Sequence, residues 1–218
     1  MKNAEQKLLI YICSLVESRD FSAEHHCEQI RRFTEIILDK VIRFCPEYGL
    51  TEEQCRKISY ASATHDIGKL SIPDRILNKP GRLTEDEFML MKNHTMKGKY
   101  IFDHVLNELD EDDEDYELLN YCREICLYHH ERFDGEGYPE RLKGNSIPIS
   151  AQVVGLVDAY DALVSDRIYK PAFPKEEAFE MIVEGECGVF NPRLIEIFRM
   201  VRMELEEILE QTEGSKLK

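Results

Sequence analysis

Apolar positions recur three and four residues apart along nearly the whole chain, the spacing of amphipathic helices. Over residues 4–18, Leu8, Leu9, Ile12, Leu15 and Val16 predict one helix with an apolar face. Over 24–45, Ile30, Phe33, Ile37, Val41 and Phe44 predict a second, and Pro46 and Gly49 break it. Thr51 with Gln54 forms a capping box, opening a helix expected to reach about Asp66, where Gly68 stops it. Residues 70–83 read as a Pro/Gly-containing loop. Thr84 with Glu87 is a second capping box, with Leu83 and Phe88 at hydrophobic-staple positions, and its helix covers about 85–105. A helix follows at about 116–130, then a Gly/Pro-rich loop at 133–149 with room for a small hairpin. Ser150 starts a helix to about Val164, Pro174 and Lys175 start a short one, and Asn191 with Pro192 caps the last. The polar tail from Thr212 is expected to fray. With no internal repeat and no sustained strand pattern, the fold class is all-α.

The 218 residues suit one domain with a short appendage: a helical extension at 1–20, a domain at 21–211 and a polar tail at 212–218. A hydrophobic fraction of 43% is enough for a real core. The net charge of -15 argues against a nucleic-acid polymer as partner, because such a face needs clustered Lys and Arg. An anionic small molecule still fits, if metals and a few basic residues make a local positive site. The acidic stretch 108–117 reads as a solvated loop. Seven cysteines without a CxxC pair, two of them (Cys122 and Cys126) at helical spacing, read as reduced, mostly buried thiols of a cytoplasmic protein. No apolar run approaches the roughly 20 residues that cross a bilayer, and no signal peptide opens the sequence.

Helical phase separates the histidines. His26 shares a face with Ile30, Phe33 and Ile37, and His94 with Met91, Gly98 and Phe102. His129 follows Cys122 and Ile125 on an apolar side, whereas His25 and His104 read as ordinary surface residues. Asp158 lies among Val153, Val154, Leu156 and Val157, where a carboxylate is costly without a partner. His65-Asp66 and His129-His130 each close a helix before a glycine-containing loop. Adjacent helical residues diverge by about 100°, so both members of a doublet can meet one ion only at the helix end. One lone inward histidine is more often a core residue than a ligand; two doublets with further inward His and Asp point to metal. Lys69, just after the first doublet, could reach a phosphate oxygen, and Arg167 and Lys170 follow the Asp158 helix.

The segments HDIGK (65–69), PDRILNKPGRLTEDE (73–87), HHERFDGEGYP (129–139), IP (147–148), VDAYDAL (157–163), DRIYK (166–170) and FNP (190–192) stand in one order. In these segments the chain resembles the HD-GYP domains, a branch of the HD phosphohydrolases, over about residues 20 to 200. The resemblance implies a single helical bundle with a Gly/Pro-rich GYP loop and an N-terminal helix. It implies one metal held by His26, His65, Asp66 and Asp158, and a second by His94, His129 and His130, with Asp66 bridging. Lys69, Arg167 and Lys170 would contact substrate phosphate. Gly137, Tyr138 and Pro139 are the GYP motif, implicated in contacts with diguanylate cyclase domains. The implied cofactors are two divalent ions, iron or manganese. A third-metal Glu expected four residues before His26 is replaced by Ser22, so two ions are expected rather than three.

The implied activity is that of a cyclic di-GMP phosphodiesterase, giving pGpG, GMP or both, by attack of a metal-bridging hydroxide. Asp66 and Asp158 leave two divalent ions with a local charge of about +2, which suits the two phosphodiesters of a cyclic dinucleotide substrate. Asp66 and Lys69 are the catalytic candidates, with Lys69 stabilising developing charge. Two alternatives stay open: an HD phosphohydrolase of another cyclic nucleotide, and a non-catalytic signalling module that uses the GYP loop for protein contacts. The N-terminal helix reads as either a homodimer element or a cover for the core.

Overall fold

The computed structural model describes residues 3–19, 26–166 and 171–215. Within them the helices are α1 (Asn3–Glu17), α2 (His26–Phe44), α3 (Glu52–Ser62), α4 (Asp74–Leu77), α5 (Glu85–Leu106), α6 (Tyr116–Tyr128), α7 (Ile149–Val164), α8 (Lys175–Val183), α9 (Pro192–Met200) and α10 (Arg202–Ser215). No strand occurs among the described residues, and the 133–149 loop carries a 3₁₀ turn at Gly144–Ser146 in place of a hairpin. The chain is all-α, as its periodicity predicts.

Both capping boxes form: Thr51 and Thr84 accept from the backbone N–H of Gln54 and Glu87, whose side chains return to the caps. Asn191 caps α9 by accepting from the Arg193 N–H. Helices α2, α3, α5, α6 and α7 form the central bundle, with α9 and α10 against α2 and α8 against α7. Phe33, Ile37, Ile58, Ile125, Leu156 and Phe198 are fully buried between them, each contributing about 1.5–3 kcal/mol of transfer free energy.

Four expectations need correction. The buried side of α1 is Cys13, Val16 and Glu17, with Leu8, Ile12 and Leu15 exposed. Cys13 and Glu17 lie four apart, so the face that meets α2 is rotated from the most apolar stripe. Helix α3 ends at Ser62, short of Asp66. The Ser62 and Thr64 hydroxyls donate to the Ser59 and Ala61 carbonyls, and Thr64 and His65 N–H groups bond three residues back, which tightens the chain out of the α-helix. The 70–83 loop contains the helical turn α4, preceded by a 3₁₀ turn at Ile67–Ser71. Finally, the last helix divides at Val201, and α10 continues past Thr212 to Ser215. The division carries the buried face of Leu194, Ile197 and Phe198 on into Leu205, Ile208 and Leu209.

Two contacts fix the frame around the 65–69 segment. A Cβ on Gly68 would lie 1.9 Å from the His94 carbonyl oxygen, so the 3₁₀ turn presses backbone to backbone on α5. Arg19, just beyond α1, donates to the carbonyls of Lys69, Leu70 and Ile72 and pairs with Asp74 at 2.7 Å.

Candidate metal centre

The bundle brings His26, His65, Asp66, His94, His129, His130 and Asp158 to one place, from α2, the turn after α3, α5, the end of α6 and α7. Each of four histidines has its Nδ1 engaged. His65 Nδ1 donates to the Ser62 carbonyl at 3.0 Å, His94 Nδ1 to Met91 at 2.8 Å and His129 Nδ1 to Ile125 at 2.8 Å. His26 Nδ1 donates to Asp161 Oδ2 at 2.6 Å, and Gln29 holds the other oxygen of Asp161. In a neutral ring a proton fixed on Nδ1 leaves Nε2 with a lone pair, the arrangement of a metal-ligating imidazole.

Those Nε2 atoms face acceptors. The two oxygens of Asp66 look in different directions: Oδ1 lies 3.2 Å from His94 Nε2 and 3.9 Å from His129 Nε2, and Oδ2 lies 3.4 Å from His65 Nε2. His26 and His65 present their Nε2 atoms to each other at 3.2 Å, and Asp158 Oδ1 lies 3.7 Å from both. Asp66 Oδ1, His94 Nε2 and His129 Nε2 are buried with no hydrogen-bond partner among the described residues. Buried acceptors aimed at one another are unfavourable unless a positive species lies among them. The donor set of imidazole and carboxylate fits a divalent transition ion better than calcium or magnesium.

The electrostatics divide the site. Burial, reinforced by His65, lowers His129 to about 3. Burial and the neighbouring His129 push His130 well down, and burial lowers His94. The downward shifts favour the neutral form of these three rings, the form that can ligate. Burial opposes the charge on His26, but Glu17 and Asp161 outweigh it and raise the ring to about 10. Burial likewise opposes ionisation of Asp66, yet the Lys69 ammonium and His65 hold its carboxyl well below the usual range. Lys69 Nζ stands 2.7 Å from Asp66 Oδ2.

The GYP loop closes the His130 side. A Cβ on Gly137 would lie 2.3 Å from the Arg132 nitrogen and 2.4 Å from Glu131 Cα, so only glycine lets the loop cross there. Tyr138 then stacks on His130, centroids 4.6 Å apart, and donates its backbone N–H to the His130 carbonyl. The Tyr138–Pro139 peptide is cis. A cavity of about 400 Å³ opens over the cluster, lined by Asp66, Lys69, His94, His130, Tyr138 and Asp158 among others. It shares Leu77, Lys79, Leu83, Phe88 and Met91 with an adjoining groove of about 710 Å³. Arg167, Lys170, Ser22 and His25 lie outside the described residues, and His104 is exposed on α5. Sequence reasoning overlooked Asp161 and Glu17. Asp161 stands in the same VDAYDAL segment as Asp158, three residues on, and a one-turn spacing was the available signal.

Residues 21–194 match the family model of the HD domain. The chain belongs to the HD domain family, in its HD-GYP branch. HD domains bind divalent metal, in keeping with the donor cluster above. A cyclic di-GMP phosphodiesterase of Thermotoga maritima is 38% identical over 194 residues, 89% of this chain and 48% of that protein. A cyclic di-GMP phosphodiesterase of Vibrio cholerae is 36% identical, over 92% of this chain and 40% of its own length. A 3'3'-cGAMP-specific phosphodiesterase of the same organism is 32% identical, over 90% of this chain and 35% of its own. This HD-GYP chain thus spans less than half the length of these curated relatives. No helix among the described residues is long and apolar enough to cross a membrane.

Proposed function

We propose that this HD-GYP chain is a metal-dependent phosphodiesterase that opens cyclic di-GMP to pGpG, GMP or both. The observation that carries the reading is the Asp66 carboxylate, whose Oδ1 faces the Nε2 atoms of His94 and His129 while its Oδ2 faces that of His65. His26, His65, Asp66 and Asp158 would hold one divalent ion, and His94, His129, His130 and Asp66 the other, with Asp66 shared. Iron and manganese suit this mixture of imidazole and carboxylate. Bound there, two such ions would lower the pKa of water and offset charge on the phosphoryl oxygens.

The chain's own groups do the rest. Carbonyl and carboxylate partners on Nδ1 hold the rings in one tautomer and orientation. Lys69 lines the cavity beside Asp66 and would pair with a phosphate oxygen as negative charge builds. Arg167 and Lys170 would hold substrate phosphate from the segment after α7. The adjoining groove gives the second nucleotide apolar side chains and Lys79. The GYP motif at Gly137, Tyr138 and Pro139 would also meet diguanylate cyclase domains. The cGAMP-specific relative supports a second reading, in which the scissile bond belongs to a mixed guanine–adenine cyclic dinucleotide.

Protein purified anaerobically and reloaded with iron or manganese, then offered cyclic di-GMP, 3'3'-cGAMP and cyclic di-AMP, tests both. Cyclic di-GMP should turn over fastest, and Asp66→Ala should lose metal and activity together. Metal-loaded protein that opens none of the three, or an Asp66→Ala variant that stays active without metal, overturns the proposal; preference for 3'3'-cGAMP selects the second reading.

A further inference from the structure

Helix α1 lays Cys13 and Val16 into the core and ends its buried face on Glu17, a carboxylate only 4% exposed. Among the described residues neither oxygen of Glu17 meets a hydrogen-bond donor stronger than the neighbouring Cys27 thiol, and no Lys or Arg pairs with it. An uncompensated buried carboxylate costs several kcal/mol by general estimates, so a buried anion here asks for a cation. Its donor oxygen and the ring nitrogens of His26 and His65 lie within 4.8 Å of one another. His65 Nδ1 is occupied by the Ser62 carbonyl and His26 Nδ1 by Asp161, so the nitrogen that each ring has left to offer an ion is Nε2, and the two lie 3.2 Å apart. The Arg19 clasp on the Lys69, Leu70 and Ile72 carbonyls secures the end of α1 against the segment that follows the His65-Asp66 doublet.

We propose that Glu17 is a metal ligand, supplying a carboxylate from the N-terminal helix to the divalent ion on the His26–His65 side. Glu17 lies ahead of residues 21–194, the stretch that matches the HD-domain model, so the seat draws on a helix outside it. The inference rests on the reading of the cluster as a metal centre. With Glu17 included, three carboxylates meet two divalent ions, and the local charge falls from about +2 to about +1. The competing account makes Glu17 a plain ion-pair partner of a protonated His26.

The two accounts separate in metal uptake rather than turnover. The whole chain, stripped by chelator and titrated anaerobically with manganese(II) alone, is followed by calorimetry and by metal analysis of the dialysed protein. Wild type should show sites on two sides. Glu17→Gln, nearly isosteric, should weaken one class at least about tenfold, a loss on the scale of disturbed metal shells, and leave the other unchanged. His94→Ala should weaken the opposite class. Glu17→Asp keeps the charge on a shorter arm and should weaken the same class as Gln; it stands in if the Gln variant fails to fold. Wild-type manganese isotherms for the Glu17 variants overturn the assignment of Glu17 and leave the centre intact. A wild-type chain that takes up no manganese overturns the centre itself.

Discussion

Among the histidines, His130 owes its position to its surroundings more than to any hydrogen bond of its own ring. Tyr138 stacks on it, and Gly137 makes room for the loop that brings Tyr138 there. Tyr138→Phe should therefore keep metal content within about twofold, since the stacking face survives. Tyr138→Ala should weaken metal binding about 10–100-fold, the range found when groups that orient ligands are lost; equal metal titrations for Phe and Ala would show that stacking positions nothing. Arg167→Ala and Lys170→Ala should leave metal content intact and cost about 1.5–3 kcal/mol of substrate binding or turnover through a lost charge-assisted hydrogen bond. Metal loss alongside activity would make that pair structural. At this scale helical phase was a good guide: His26, His94 and His129 point inward as their neighbours' apolarity predicts. Glu17 was illegible because the most apolar stripe of α1 is the exposed one, which put the acidic residue on the wrong side of the expected face.

The elements that carry the candidate ligands are set by short backbone contacts. Gly68 is the tightest, with the 3₁₀ turn Ile67–Ser71 seated on α5 at the His94 carbonyl. Gly68→Ala should push that turn from α5, separating Asp66 from His94. Overpacking of this kind costs about 1–3 kcal/mol, a fall in Tm of about 2–12 °C for a chain of this size, with reduced metal uptake measured on the same protein. An unchanged melt and unchanged uptake would mean that the contact relaxes freely. Helix starts were legible because Thr51, Thr84 and Asn191 are capping residues with local geometry. The end of α3 was not: Gly68 marked a stop, but the chain leaves the helix after Ser62, where hydroxyls compete for local carbonyls. That early exit sets His65 and Asp66 in a tight turn, with His65 Nε2 at 3.4 Å from Asp66 Oδ2, rather than a full 100° apart on a helix end.

For the whole molecule, the centre joins α2, the turn after α3, α5, α6 and α7, so an ion bound there favours the folded state over the unfolded chain. One site at a free metal concentration 100-fold above its Kd contributes about 2.7 kcal/mol, or about 5–11 °C in Tm. Chelator treatment should lower the melting midpoint by that much per site, and an identical melt with and without chelator would show that the ions do not couple to the fold. The all-α class and the acidic surface were open to reading from periodicity and charge; the meeting of these helices was not, since it rests on contacts between residues as far apart as His26 and Asp161, 135 positions along the chain. That separation matters on the ribosome. A nascent chain that has released His65, Asp66 and His94 still lacks the α7 carboxylates, and its histidines have neither Asp158 opposite them nor Asp161 behind them. Assembly of the full donor set therefore waits until α7 has been made, after every histidine of the cluster.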